Sequence, residues 1–274
     1  MSVIHQIQNK LYDAVVIKRP SASCKTPYVA DIYIPELDLT TMAHSPALGC
    51  CGLSDKDHKV MVVEQNNKKT TCSHVIMLSC IEEKNKSIYV GIHPKLAETL
   101  VEQALLQNQV SCLSNIKNLQ REKKFLNSRF DFMGKTENDD DFILEVKSVP
   151  LSDYDDISSQ ERKTKNYDDY DVYNKVAYFP DGYRKNKGAV VSPRALKHIE
   201  ELEKIALETK IKTYLCYVVQ REDANRFQTS ILDPTYKQAV KKASDNGVTI
   251  IVLQIKWTKE GEAILITDNL TSSL

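Results

Sequence analysis

SRFDFMGKTENDDDFILEVKSV, residues 128–149, holds two short apolar runs with a carboxylate in the middle of each. Asp131 stands between Phe130 and Phe132. Glu145 stands between Leu144 and Val146, with Lys147 two places on. Side chains on a strand alternate faces, so Phe142, Leu144 and Val146 share one face of FILEVKSV while Ile143, Glu145, Lys147 and Val149 share the other. A hairpin returning through Gly134, in the acidic turn MGKTENDDD, brings Asp131 back towards Glu145. The stretch therefore predicts two neighbouring strands that group two carboxylates and an ammonium at the edge of a sheet. Paired carboxylates repel, and burial raises the cost. A divalent cation removes the conflict: Mg²⁺ takes one or two carboxylates together with waters and substrate phosphate oxygens. A lysine beside it can hold or deprotonate a water while the metal stabilises charge on phosphorus. The pattern suits phosphodiester hydrolysis; a plain surface ion pair between Glu145 and Lys147 is the competing reading.

Outward from this stretch, the chain divides by texture. LYDAVVIKR, YVADIYI, LTTMAHS, KVMVVEQ and HVIMLSCI, between residues 11 and 81, read as five short strands separated by turn-like segments. Five strands in so short a span predict a small barrel of the OB type. After Glu82 the pattern becomes mixed. SIYVGI is a strand, and HPKLAETLVEQALLQNQ a helix with Pro94 in its first turn. After the two central strands, SPRALKHIEELEKIALE is a helix capped by Ser192, TYLCYVVQ a buried strand, DPTYKQAVKKASDNG a helix capped by Asp233 and ended by Gly247, and VTIIVLQIKW a last strand. This order predicts an α/β fold, a mixed sheet with helices on its faces. The break is expected near the polar stretch 82–88, giving units 1–83 and 84–274. Residues 150–175, polar and Tyr-rich, read as a mobile surface insertion.

The chain has 274 residues, with 37 basic and 37 acidic side chains. Residues 153–171 hold seven acids against three bases, so the remainder is 34 basic to 30 acidic, a mild excess compatible with a nucleic-acid cleft. Seven cysteines with no C-x-x-C pair, no signal-like start and no long apolar run predict an intracellular protein, cytoplasmic or nuclear, away from membranes. Cys50 and Cys51 have no His-plus-acid set around them and read as packed or idle thiols. His5, His58, His74 and His93 lack zinc spacing with cysteine. Lys18 and Arg19, at the loop end of a barrel strand, suit a nucleic-acid backbone. Arg194 and His198 share a helix face and suit phosphate.

Taken in order, several segments resemble the sugar fermentation stimulation protein family (SfsA): VIKR…YVADI, AHSPALGCCGL, YVGIHPKLAETLVEQAL, LQREKKFLNSRFDF, ILEVKSV, YFPDG, SPRALKHIEEL, YVVQREDANRF and DPTYKQAV. The resemblance implies an OB-fold barrel followed by a restriction-endonuclease-like (PD-(D/E)XK) domain, nucleic-acid binding, DNA foremost, and nuclease activity with Mg²⁺ or Mn²⁺. Binding to DNA as a regulator, without cleavage, is the alternative it carries. It assigns Asp131 and Glu145 to the metal, Lys147 to catalysis and Glu122 to a helix-side catalytic carboxylate. Arg129, Gln220, Arg221 and His44 join the nucleic-acid set. The loop AHSPALGCC keeps His44, Pro46 and Gly49 but has Ala47, Leu48 and Cys50 where the family has Asn, Thr and Ser.

Overall fold

The computed structural model describes residues 1–45, 52–65, 71–181 and 190–274. Most of the AHSPALGCC loop, with Cys50 and Cys51, lies outside them. In chain order the elements are β1 (Ser2–Gln6), β2 (Leu11–Lys18), β3 (Val29–Ile34), β4 (Leu39–His44), β5 (Lys59–Glu64), β6 (His74–Glu83) and β7 (Lys86–Gly91). They continue with α1 (Pro94–Leu106), β8 (Ile116–Phe125), β9 (Ser128–Thr136), β10 (Asp141–Val149), β11 (Ser152–Asp153), α2 (Ser159–Arg162) and β12 (Lys175–Phe179). The last are α3 (Pro193–Glu208), β13 (Lys212–Val219), β14 (Ala224–Thr229), α4 (Pro234–Asp245), β15 (Thr249–Trp257), β16 (Glu262–Thr267) and β17 (Ser272–Ser273).

The five expected N-terminal strands are β2 to β6. They run β4-β3-β2-β5-β6, and β4 closes the ring by pairing in parallel with β6, Ala43 opposite His74 and His44 opposite Val75. Small and β-branched residues fill the inside, among them Ala14, Val16, Ile32, Ile34, Val62 and Ile76. The 82–88 stretch falls at the turn of hairpin β6–β7, where Lys84 and Asn85 take positive φ (47° and 63°). β7, beyond it, pairs with β6 along its length, and Ile88 and Val90 pack into the barrel core. The all-β unit therefore extends to Ile92. At the other end, β1 pairs with β16 and belongs with the strands of the second half. Both corrections share a cause: backbone pairing, which composition does not reveal, decides where a strand belongs.

The second half is the mixed sheet. β15, β13 and β10 are parallel neighbours, and β9 and β8 continue antiparallel, β8 being the edge strand among the described residues. Leu96, Leu100 and Val101 of α1 cover one face with Phe132, Leu144 and Val146. Ile199 and Leu202 of α3 and Val240 of α4 cover the other, with Phe130, Ile143, Leu215 and Tyr217. Ser192 and Asp233 cap α3 and α4 by accepting from the backbone N–H groups of Ala195 and Tyr236, each cap followed by proline. Gly134 is inside β9 and not at the turn: a Cβ there would stand 2.1 Å from the Asn118 carbonyl oxygen and 2.8 Å from the Phe142 ring. The chain reverses instead through residues 137–140, with Asp139 at φ 61°.

The 150–175 segment is built into the molecule, contrary to the expectation of a mobile surface piece. β11 pairs with β12, and α2 carries a full capping box between Ser158 and Glu161. Buried Asp156 accepts from the Ser230 hydroxyl (2.9 Å), the Gln228 amide (2.7 Å) and the Ile231 N–H (2.8 Å). Lys84 donates to the Tyr167 and Asp168 carbonyls, tying hairpin β6–β7 to the segment. Its acids and tyrosines are polar by composition but satisfied by partners distant in sequence.

Candidate functional site

The site begins with a failure of strand pairing. β10 pairs with β9 from Asp141 opposite Lys135 to Leu144 opposite Phe132, and there the ladder ends. The Val146 N–H is left without a carbonyl, and the Asp131 carboxylate takes it at 2.7 Å. Phe132 faces the α1 side while Phe130 faces the α3 side, so β9 turns over at Asp131. β10 keeps its alternation: Leu144 and Val146 face α1, and Ile143 and Val149 face α3. Glu145 and Lys147 consequently project side by side, as strand periodicity predicts.

Glu145 is 2% exposed. One of its oxygens, Oε1, accepts from both Lys147 Nζ and His198 Nδ1, the latter reaching down from α3. The other, Oε2, is buried and has no hydrogen-bond partner. Burial alone would raise the Glu145 pKa, but Lys147 and His198 outweigh it and hold it below the ordinary value. Asp131 has weaker relief, from the Val146 N–H and Lys147. Burial first, then the Glu145 charge, push its pKa up to about 7. A third carboxylate feels the same field. Glu98 of α1 has its pKa raised by burial, with Glu122 and Glu145 adding to the rise against Arg121 and Lys95. Among the described residues no group of three or more His, Cys, Asp or Glu is arranged to hold a metal by itself. Two acids, one with an orphaned buried oxygen and one whose pKa is raised by burial and by its neighbour's charge, fit a cation whose remaining ligands are water and phosphate.

The other sequence-assigned residues separate into those near this cluster and those elsewhere. His198 is buried against Glu145 and does not present itself to phosphate, whereas Arg194, a turn earlier on α3, is exposed. Arg129 lies two residues before Asp131, exposed and paired with Glu122 at 3.4 Å. Glu122 is not on a helix: it lies on β8, exposed, at φ 54°. Glu98 is the helix-side carboxylate, missed because its half-buried position shows only when α1 is laid on the sheet. His44, at the end of β4, lies near the start of α1, where burial first, then His44 and Lys95, lower the His93 pKa to about 4.

Gln220 and Arg221 are struts, not ligand contacts. Gln220 is fully buried, accepting from the Trp257 indole at 2.9 Å and donating to Ser148 at 3.3 Å. Arg221 forms a buried two-pronged pair with Asp223 (2.6 and 2.7 Å). Arg19 is nearly buried, donating to the Pro27 carbonyl (2.9 Å) and to the Ser54 hydroxyl, so it braces a loop of the barrel. Lys18 beside it stays exposed. A cleft of about 770 Å³ between the barrel and the 150–175 segment contains none of the carboxylates of the cluster.

A family model described as the sugar fermentation stimulation protein RE domain matches residues 95–160 and 163–261, more than half of the chain. The chain belongs to the sugar fermentation stimulation protein family. Sugar fermentation stimulation protein homologs from Clostridium perfringens (strain SM101) and Jannaschia sp. (strain CCS1) are 26% identical over 250 residues and 29% identical over 223 residues. The first alignment covers 91% of this chain and 94% of the relative, the second 80% of each. The fold is similar to that in the structure of Pyrococcus furiosus SfsA in complex with Ca²⁺, with a TM-score of 0.76, 16% identity and full coverage of both chains. The matched region of the family model spans Glu98, Asp131, Glu145, Lys147 and His198. No helix among the described residues is long and apolar enough to cross a membrane.

Proposed function

We propose that this protein is a divalent-metal-dependent phosphodiesterase acting on nucleic acid, with Mg²⁺ or Mn²⁺ held by Asp131 and Glu145. The observation that carries the reading is the pairing of a carboxylate pushed up to about pKa 7 with a neighbour whose second oxygen is buried and unpartnered. Such a pair is costly without a cation and fits one. Support comes also from the family model's name and from the Ca²⁺ complex named for the Pyrococcus protein. A metal bound here would supply Lewis acidity towards a phosphoryl oxygen. The chain's own residues do the rest. The Val146 N–H fixes Asp131, and His198 fixes Glu145 so that Oε2 points away from the ion pair. Lys147 Nζ, anchored on Glu145, holds the attacking water and offsets charge gathering on phosphorus. On this reading the second half is a restriction-endonuclease-like domain, and the ring of five strands closed between its third and fifth members is an OB-type barrel for nucleic acid, DNA foremost, in an intracellular setting.

One observation favours the alternative, DNA binding without cleavage: Lys147 already neutralises Glu145 with no cation. Metal titration separates the two. Calorimetry with Mn²⁺ should give one site in the wild type, lost in Asp131→Asn and Glu145→Gln. A wild type that binds neither Mg²⁺ nor Mn²⁺, with or without nucleic acid, overturns the metal reading and leaves the regulatory one.

A further inference from the structure

The hairpin β8–β9 has a role that the carboxylate cluster does not explain. β8 is the last strand of the sheet, its outer edge unpaired among the described residues. Cations on such an edge discourage strand addition, and that accounts for some of Lys117, Arg121, Lys123 and Lys124. It does not account for the tip. Phe125 pairs with Ser128, so Leu126 and Asn127 form a two-residue turn. Leu126 is 44% exposed at φ 51°, a backbone setting that favours glycine or asparagine. The tip is also pinned: Lys197 of α3 donates to the Asn127 carbonyl at 2.8 Å, and Phe125 packs on the core under α3. A branched apolar side chain is thus held out on a rigid ribbon.

Charge and distance relate the ribbon to the cluster. Lys117, Arg121 and Arg129 have ion-pair partners; Lys123 and Lys124 are exposed and have none among the described residues. Adjacent strand residues project to opposite faces, so these two lysines offer a free cation on each side. Asp131 is four residues from Asn127 at the tip, about 13 Å along the strand. A two-stranded ribbon fits the major groove of B-form DNA, with a wall of phosphates on either side. The major groove of A-form RNA is too deep and narrow for side chains to read. Single strands are gripped by exposed aromatic rings, and here Phe130 and Phe132 are buried and Phe125 is half-buried.

We propose that hairpin β8–β9 enters the major groove of duplex DNA, with Lys123 and Lys124 on opposing phosphates and Leu126 against base edges. This rests on the nucleic-acid reading of the preceding section. The test is equilibrium binding of a short DNA duplex, the same sequence as duplex RNA and as single-stranded DNA, in EDTA and again in Ca²⁺, over a range of salt. Wild type is compared with Lys123→Ala/Lys124→Ala, with Leu126→Gly, which suits the turn, and with Lys241→Ala, exposed on α4, as a control; thermal melting is followed for each. The double variant should lower the slope of log K against log salt by about 2, near 0.9 for each lost phosphate, and weaken duplex DNA binding at low salt at least tenfold. Leu126→Gly should weaken it several-fold with no loss of melting temperature. Single-strand binding and the Lys241 variant should be unaffected. Hairpin variants that match wild type in affinity and slope overturn the proposal, as does an equal loss on RNA or single strands, or a self-association that the same variants abolish. If wild type cleaves but the hairpin variants bind and cleave as it does, this proposal alone fails. If wild type binds no nucleic acid, the reading beneath it fails as well.

Discussion

Asp131 is placed by one backbone N–H and titrated by one neighbour, so it makes predictions by itself. Its proton is held up to about pH 7 in the fold, against an ordinary value of 3.8. The folded state therefore binds more protons than the unfolded chain between those values, and stability should fall as pH rises through that window. Above about pH 7 the whole penalty is present, up to about 4 kcal/mol for a shift of this size. In EDTA, Asp131→Asn should remove that slope and melt higher than wild type at pH 8, because an amide oxygen still accepts from Val146. Parallel melting curves for the two proteins from pH 5 to 8 would contradict this. Glu145 behaves in the opposite sense, since Lys147 and His198 overcome burial. Its contribution is lost as pH falls through its folded value, below the ordinary carboxylate range. Saturating Mg²⁺ or Mn²⁺ should raise the wild-type melting temperature by mass action, and Asp131→Asn should not show that rise.

At the scale of elements, the turn of β8–β9 gives a stability prediction independent of ligand. A non-glycine residue in the left-handed region costs roughly 1–2 kcal/mol, so Leu126→Gly should raise the urea midpoint, equivalent to about 0.5–1 kcal/mol after glycine's entropy is counted. A fall in the midpoint would show that Leu126 packs within the fold. This hairpin also marks the limit of what the sequence discloses. The barrel strands, α1, α3, α4 and the central strands β10, β13 and β15 were legible because each has an apolar period or a capping residue. β8 was not: an edge strand exposed on both faces, KNLQREKK, has no period, so nothing local showed that Glu122, given a helix-side position by the resemblance, stands on a strand. The side-by-side placement of Glu145 and Lys147 was legible from alternation, and the approach of Asp131 from the expected hairpin, although the chain reverses at 137–140 and not at Gly134. Glu98 and the inward turn of His198 depend on helix packing across two faces of the sheet, which no local pattern encodes.

For the whole molecule, the joint between barrel and mixed sheet shares a core in which Met61, Val63 and Leu78 of the barrel meet Ile255 and Trp257, and its chemistry explains why Gln220 and Arg221 are buried. β7 meets β15 through the pair Tyr89 and Trp257. A Cβ on Gly91 would stand 2.2 Å from the Gln220 side-chain oxygen and 2.6 Å from the Trp257 nitrogen. Gly91→Ala should therefore destabilise the protein by about 1–3 kcal/mol, read in urea unfolding; an unchanged midpoint would mean the joint can open freely. Beside it, buried Asp223 serves both Arg221 and Lys175, and Lys175 also reaches Glu83 of the barrel. Asp223→Ala should cost about 3–5 kcal/mol by leaving cations unpaired. The 150–175 segment, anchored through Asp156 and Lys84, should resist limited proteolysis until the fold opens; early cleavage there under native conditions would refute its docking. The central claim, that the cluster on β9 and β10 performs metal-dependent phosphodiester hydrolysis, is tested most directly by cleavage of a labelled DNA duplex in Mg²⁺ and Mn²⁺, wild type against Lys147→Ala. The account predicts metal-dependent cleavage by the wild type, abolished by EDTA and reduced at least a hundredfold in Lys147→Ala while Mn²⁺ still binds the variant; cleavage at the wild-type rate by Lys147→Ala, or none by a wild type that binds both metal and DNA, would contradict it.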